Sequence, residues 1–209
     1  MTTTARPTRR DATENRAALL AAARAELNRD PDASLEVIAA RAGLSRRAVY
    51  GHFATRDDLL RELIGLGVAR VSSALEGVNH ADPVVRLALI AARLWHEIES
   101  VRVMAIFAVR GPLTAYTADR LGIIRAWVAD AIAQGVDSGA MRADIPKRQL
   151  ARLVEDAVLA GLALSVSERI AASDGHRLVM LLALGTVGLS AGQAAELIDS
   201  HRELDWSAT

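Results

Sequence analysis

Ser34-Leu-Glu-Val-Ile-Ala-Ala-Arg-Ala-Gly43-Leu-Ser45-Arg-Arg-Ala-Val-Tyr50-Gly-His-Phe-Ala-Thr-Arg-Asp-Asp-Leu-Leu60 is the stretch on which the fold turns. Ser34 offers its hydroxyl as a helix cap, Glu36 sits in the first turn where the helix dipole favours an acid, and Val37 with Ile38 reads as a buried pair. Gly43 permits the left-handed turn that ends this helix after Ala42. Ser45 then caps a third helix that runs through Phe53, with Leu44, Val49 and Phe53 inward and Arg46, Arg47, Ala48, Tyr50 and His52 on the other faces. Two short helices about one glycine turn have the plan of a helix-turn-helix.

Upstream, Thr13 is placed to cap a first helix to about Asn28, with Leu19, Leu20, Ala23 and Leu27 in one stripe. Thr2 to Arg10 has the composition of a flexible arm carrying Arg6, Arg9 and Arg10. Such an arm beside a DNA-reading motif adds phosphate or minor-groove contacts in other proteins.

The remainder reads as all-α. A fourth helix runs from Asp57 to about Gly77, and a fifth begins at Pro83. A short apolar piece, Val101 to Val109, stops at Gly111-Pro112. Further helices are expected over about Thr117 to Asp137, Lys147 to Ala172 and His176 to Ser190. The division falls at residues 1–56 for the arm and reading domain and 57–209 for a larger helical domain. The His176–Ser190 segment is apolar almost all round, so it needs burial on every side, which implies a partner.

The chain has 209 residues, half of them hydrophobic, and no cysteine, which removes disulfides, thiolate zinc sites and cysteine nucleophiles together. Net charge is zero, but residues 1–56 carry ten arginines against six acids, leaving −4 on the rest. One end is thus suited to a polyanion. No apolar run approaches the roughly 20 residues of a membrane span. The polar N-terminus lacks the core of a signal peptide, so a cytoplasmic location is expected.

At Ile38-Ala39, Ala42-Gly43-Leu44-Ser45, Val49-Tyr50-Gly51-His52-Phe53 and Arg56-Asp57-Asp58-Leu59-Leu60 the chain resembles the DNA-binding region of the TetR family of bacterial transcriptional regulators. Family members usually carry an aromatic and a glycine near the end of the first helix, where this chain has Leu27 and Asn28 to Asp32. A lysine is usual where Arg56 stands. The resemblance implies double-stranded DNA as partner, with Ser34, Ser45, Arg46, Arg47, Ala48, Tyr50, His52 and Arg56 at the interface. A third helix of about nine residues, roughly 13 Å, fits a major groove about 12 Å wide. Arg46 and Arg47 stand in its first turn, each suited to a guanine edge or to a phosphate. Tyr50 and His52 resemble backbone-contacting positions, a solvated surface pair being the alternative that the motif context disfavours. Arg56, with the amides around Asp57, is a phosphate candidate.

The resemblance further implies a homodimer on a palindromic operator, closed through the last two major helices. Leu150, Val154, Ala157, Gly161, Leu181, Leu184, Gly185 and Gly188 are the expected contact residues. It implies release by a small-molecule effector held among the fifth to eighth helices. Candidate walls are Trp95, Met104, Phe107, Trp127 and Leu159, with Glu99, Arg110 and Asp156 as polar options. Each is equally a core or capping residue. Effector-independent or protein-partner control is the alternative.

Enzyme readings are weak. Gly188-Leu189-Ser190-Ala191-Gly192 matches the G-x-S-x-G elbow, but that chemistry needs a sheet, and only Asp199 and His201 follow. His96 and Glu99 share a helix face without a second histidine nearby. No phosphate-binding loop or dinucleotide fingerprint is present. No enzyme, metal or cofactor is expected.

Overall fold

A computed structural model describes residues 9–208, and among these every regular element is helical. The chain divides into two compact units at Leu66 and Gly67, within the fourth helix, whereas the sequence division falls at that helix's start.

The smaller unit holds α1 (Arg9–Leu27), α2 (Leu35–Arg41), α3 (Arg46–His52) and the first part of α4 (Arg56–Leu75). Leu19, Ala23, Leu27, Ile38, Ala39, Val49, Phe53, Leu59 and Leu60 are buried and form its core. Three sequence expectations change here. α1 begins at Arg9, so Arg9 and Arg10 belong to a helix and not to an arm, while Thr2 to Thr8, with Arg6, lie outside the described residues. Val37 is exposed while Ile38 is fully buried, because adjacent helical positions point about 100° apart. α3 spans seven residues, about 10 Å, since Phe53 leaves helical geometry at φ −133°.

Charged side chains clamp this small core. Arg16 of α1 donates to both carboxylate oxygens of Glu62 on α4, to the His52 carbonyl at 3.3 Å, and lies 4.6 Å above the Phe53 ring. Glu26, almost buried, accepts from Arg41 at the end of α2 and from Arg29 at 3.4 Å. One arginine and one glutamate therefore tie α1 to α2, α3 and α4.

The larger unit is built round α5 (Pro83–Ile98), buried at every position from Val84 to Ala92. Asp82 caps it through the amides of Val84 and Val85, and Pro83 occupies the first turn, where its missing N–H costs nothing. Around it stand α8 (Gly122–Asp137), α9 (Lys147–Ser167) and α10 (Ala172–Thr186), while α6 (Arg102–Arg110) and α7 (Thr114–Arg120) lie beside α9 and α8. α11 (Ala191–Ser200) and the 3-10 turn Arg202–Leu204 complete the main core through Ala194, Ile198 and Leu204.

Here the structure breaks two segments that read as single helices. Residues 117–137 contain the end of α7 and all of α8, joined at Leu121. Residues 147–172 end at Ser167, where Arg169 adopts φ +53° while its amide bonds Val166 and the Ile170 amide reaches back to Ser165 at 3.0 Å. That is a Schellman turn with arginine in the usual glycine position, so no glycine marks it in the sequence.

Candidate nucleic-acid interface

The reading motif is set by two serine caps. Ser34 accepts from the Val37 amide at 3.3 Å and Ser45 from the Ala48 amide at 3.2 Å, each satisfying an otherwise unpaired donor of a helix first turn. Both therefore fix the helices that they begin. Gly43 takes φ +70° between them, as the turn requires.

On the exposed side of α3 the two adjacent arginines differ. Arg46 stands 3.4 Å from the Glu36 carboxylate and its guanidinium lies 5.6 Å from the centre of the Tyr50 ring. Tyr50, exposed, donates its hydroxyl to Glu36 at 2.9 Å. Hydrogen bonding at its own backbone, the Tyr50 phenol and the Arg46 charge hold the Glu36 carboxyl below the usual carboxylate range. Arg47 has no such partner among the described residues and is exposed. Ala48 and His52 are half-buried beside it. Glu36 is the site residue that the sequence reading treated as a dipole ornament; only its position one helix away from Tyr50 reveals the clamp.

Arg56 has a different place from the one expected. Its Nε donates to the Ala33 carbonyl at 2.9 Å and its terminal nitrogen to the Pro31 carbonyl, so its fork holds the connection between α1 and α2. The start of α4 is also occupied. Thr55 Oγ1 accepts from the Asp58 amide at 3.1 Å while Asp58 accepts from the Thr55 amide at 3.1 Å, a reciprocal cap, and Asp57 adds a second acid. Two carboxylates in that turn oppose a phosphate there. The Thr55-x-x-Asp58 spacing was legible and carried the signal.

The expected contact residues on α9 and α10 separate into two groups. Leu150, Val154, Gly161 and Leu184 are buried within the chain and are closed to a partner. Gly161 is small for an internal reason: a Cβ there would stand 2.5 Å from the Leu182 side chain. Gly188 ends α10 at φ +107° beside Arg142. Ala157, Leu181 and Gly185 instead share an open face with Leu153 and Leu164, each 45% exposed, and with Ala160, Leu178 and Leu182. The helix buried on all sides is α5, whereas α10 keeps this one apolar face.

The candidate effector residues are not assembled at one place. Trp95 is buried with Leu162 and Val179, and donates its indole N–H to the Ala172 carbonyl at 2.9 Å. Trp127 packs elsewhere, against Val71, Leu75 and Ile124. Asp156 is exposed and pairs with Arg152 at 3.5 Å, Arg110 is exposed at the end of α6, and Glu99 and Leu159 are half-buried. α6 is the loosest part of this set: Met104 is buried, yet Val103, Ala105, Ile106 and Phe107 are only half-covered.

Ser190, at the centre of the elbow pattern, begins a helix and does not end one. Its hydroxyl accepts from the Gln193 amide while the Gln193 side chain accepts from the Ser190 amide. Asp199 pairs with Arg177 at 2.7 Å and His201 Nδ1 faces the Leu197 carbonyl at 2.8 Å. These three residues are placed by helix capping and pairing, with no strand before the serine.

Residues 19–63 match the profile of bacterial regulatory proteins, tetR family. The fold is similar to that of SmeT, described as the repressor of the Stenotrophomonas maltophilia multidrug efflux pump SmeDEF: TM-score 0.65, 24% identity, over 82% of this chain and 87% of that one. It is similar to FadR from Bacillus subtilis, solved in complex with stearoyl-CoA, at TM-score 0.65 and 16% identity over 82% and 97% of the chains. The ketosteroid transcriptional regulator KstR2 of Mycobacterium tuberculosis gives TM-score 0.63 and 21% identity over 84% and 95%. No curated protein matches the chain in sequence.

Proposed function

We propose that this chain, a DNA-binding transcriptional regulator of the TetR family, acts as a dimeric repressor that holds a palindromic operator and releases it when a small molecule binds the larger unit. The observation that carries the DNA-facing part is the exposed side of α3, where Arg47 stands free beside an Arg46–Tyr50–Glu36 cluster. A guanidinium in the first turn of a recognition helix reaches base edges, and a phenol beside it reaches the backbone. Tyr50 and Arg46 exchange Glu36 for phosphate oxygens on binding. Arg56 supports the domain from within.

Dimerisation is supported by the open apolar face of Leu153, Ala157, Ala160 and Leu164 on α9 with Leu178, Leu181, Leu182 and Gly185 on α10. Exposed apolar residues in one contiguous stripe mark an association surface more often than a solvated one. A two-fold pair places its recognition helices on successive major grooves when they stand about 34–36 Å apart. Effector control is supported by the half-covered apolar side of α6, with Ile106 and Phe107, and by the FadR structure's bound stearoyl-CoA. A ligand that moves the equilibrium from 99:1 to 1:99 must prefer the released form by about 5.5 kcal/mol.

Footprinting on the DNA flanking the protein's own gene tests this reading. Protection of an inverted repeat that disappears with a small apolar molecule is the expected result. Protection of a site without two-fold symmetry overturns the dimeric operator. Protection that survives every candidate compound leaves the effector-independent regulator in its place.

A further inference from the structure

Two histidines and a glutamate meet at the larger unit although they come from opposite ends of its sequence. His80 lies in the connection between α4 and α5. His201 closes α11, and Glu203 follows in the 3-10 turn. One potential ligand atom from each of the three lies within 4.8 Å of the other two, and the two imidazole rings stand edge to face with centroids 6.1 Å apart. We propose that His80, His201 and Glu203 bind a divalent transition-metal ion of the zinc class.

The carbonyl contact of the His201 ring fits that role. His201 Nδ1 lies 2.8 Å from the Leu197 carbonyl, which can only accept, and 3.1 Å from the Ser200 hydroxyl; the carbonyl contact suits a ring that carries its proton on Nδ1 and offers Nε2. A histidine that ligates a metal almost always donates its other N–H to a carbonyl or carboxylate in this way. His80 Nδ1 is 3.0 Å from the Asp82 amide and 3.3 Å from the Asp82 carbonyl. The first contact has Nδ1 accepting and the second suits Nδ1–H donating; a ring that ligates through Nε2 uses the second.

Both segments are held in place. Leu204 is buried in the main core beneath the 3-10 turn, and Asp82 is committed as the cap of α5. Glu203 is exposed, carries no partner among the described residues, and can turn toward the ion. Ligands about 2.1 Å from a tetrahedral ion stand roughly 3.4 Å apart, so the three side chains must draw in from their present spacing on loading. Two imidazoles with a single carboxylate suit zinc, cobalt, nickel or copper over magnesium or calcium, which take oxygen shells. Water completes the fourth position, and the bound ion pins the chain after α11 to the α4–α5 connection.

The test uses the full chain without a purification tag, stripped with EDTA and dialysed. Titration with zinc chloride by calorimetry, and with cobalt chloride by visible absorption, should show one ion per chain, with a tetrahedral cobalt spectrum and a raised melting temperature that EDTA reverses. His80→Asn and His201→Asn should each weaken binding by more than the roughly 10–100-fold that loss of an outer partner costs. Glu203→Gln should weaken it less, and His96→Asn should leave it unchanged. Circular dichroism confirms that each variant is folded. Absence of binding to the wild-type chain, or equal binding by the His80→Asn/His201→Asn double variant, overturns the assignment.

Discussion

Tyr50 donates its phenolic proton to Glu36 at 2.9 Å, joining the exposed sides of α2 and α3. Because the same carboxylate stands 3.4 Å from Arg46, an acid occupies the place on this surface that a phosphate needs. On the proposed reading, Glu36 opposes DNA electrostatically while it orders Arg46 and Tyr50.

Glu36→Gln should therefore tighten binding to DNA of any sequence and release Arg46. Each additional phosphate contact steepens the dependence of log K on log salt by about 0.9. Fluorescence anisotropy with random-sequence duplex over a potassium chloride series measures it. An unchanged slope would show that Arg46 is not recruited.

Arg47→Ala should remove about 1–3 kcal/mol of discrimination at one position of each half-site, because its guanidinium is unpaired and exposed in the first turn. Selection of bound sequences from a randomised operator reads this directly. A uniform loss over all sequences would assign Arg47 to phosphate.

Leu153→Glu and Leu150→Ala separate the open face from the core on the same helix. Leu153 is 45% exposed and Leu150 is fully buried. The first variant should run as a monomer by light scattering with its helical spectrum intact. The second should remain associated but lose about 2–5 kcal/mol of stability in urea. The reverse pattern would place the partner on the other side of α9.

Arg16→Ala should destabilise the smaller unit by about 1–2 kcal/mol, discounted because the pair with Glu62 is partly solvated. The loss comes from the carboxylate bonds, the His52 carbonyl bond and the stack on Phe53 together. Urea unfolding followed by circular dichroism reports it, and Arg16→Lys should recover only part because one ammonium cannot form the fork.

His176 supplies a pH dependence. It is buried, its Nε2 has no partner, and burial first, then the nearby His96, push its pKa below the ordinary 6.5 despite an opposing pull from Asp205. Below 6.5 the unfolded chain binds a proton that the folded chain refuses. Stability should thus fall with pH from about 6.5 down to the folded value, and level off beneath it. Urea midpoints at several pH values should show this slope in the wild type and a smaller one in His176→Phe.

Much of this was legible in the chain. Ser34, Gly43 and Ser45 act locally, through their own turns, so their spacing sufficed to place α2 and α3. Pro83 and Gly111-Pro112 likewise marked real ends. What spacing cannot show is tertiary context. Arg56 looked like a surface cation because the carbonyls of Pro31 and Ala33 approach it only after folding. Leu150, Val154 and Leu184 were placed on a shared face with Ala157, Leu181 and Gly185, since an apolar residue bears no mark of whether it meets its own chain or another. The turn at Arg169 lacks glycine, and the His80–His201 pair joins segments too distant for spacing to connect.

All three tryptophans, Trp95, Trp127 and Trp206, belong to the larger unit, and the smaller one contains a single aromatic phenol, Tyr50. Excitation at tryptophan wavelengths therefore lights only one half of the molecule, with Trp95 held in a dry site by its indole bond to Ala172. Tyrosine emission comes from Tyr50 in the other half, on the exposed side of α3, and from Tyr116 in the larger unit. The unmodified chain thus reports events in its larger unit through tryptophan emission without a label, while the smaller unit stays dark at those wavelengths.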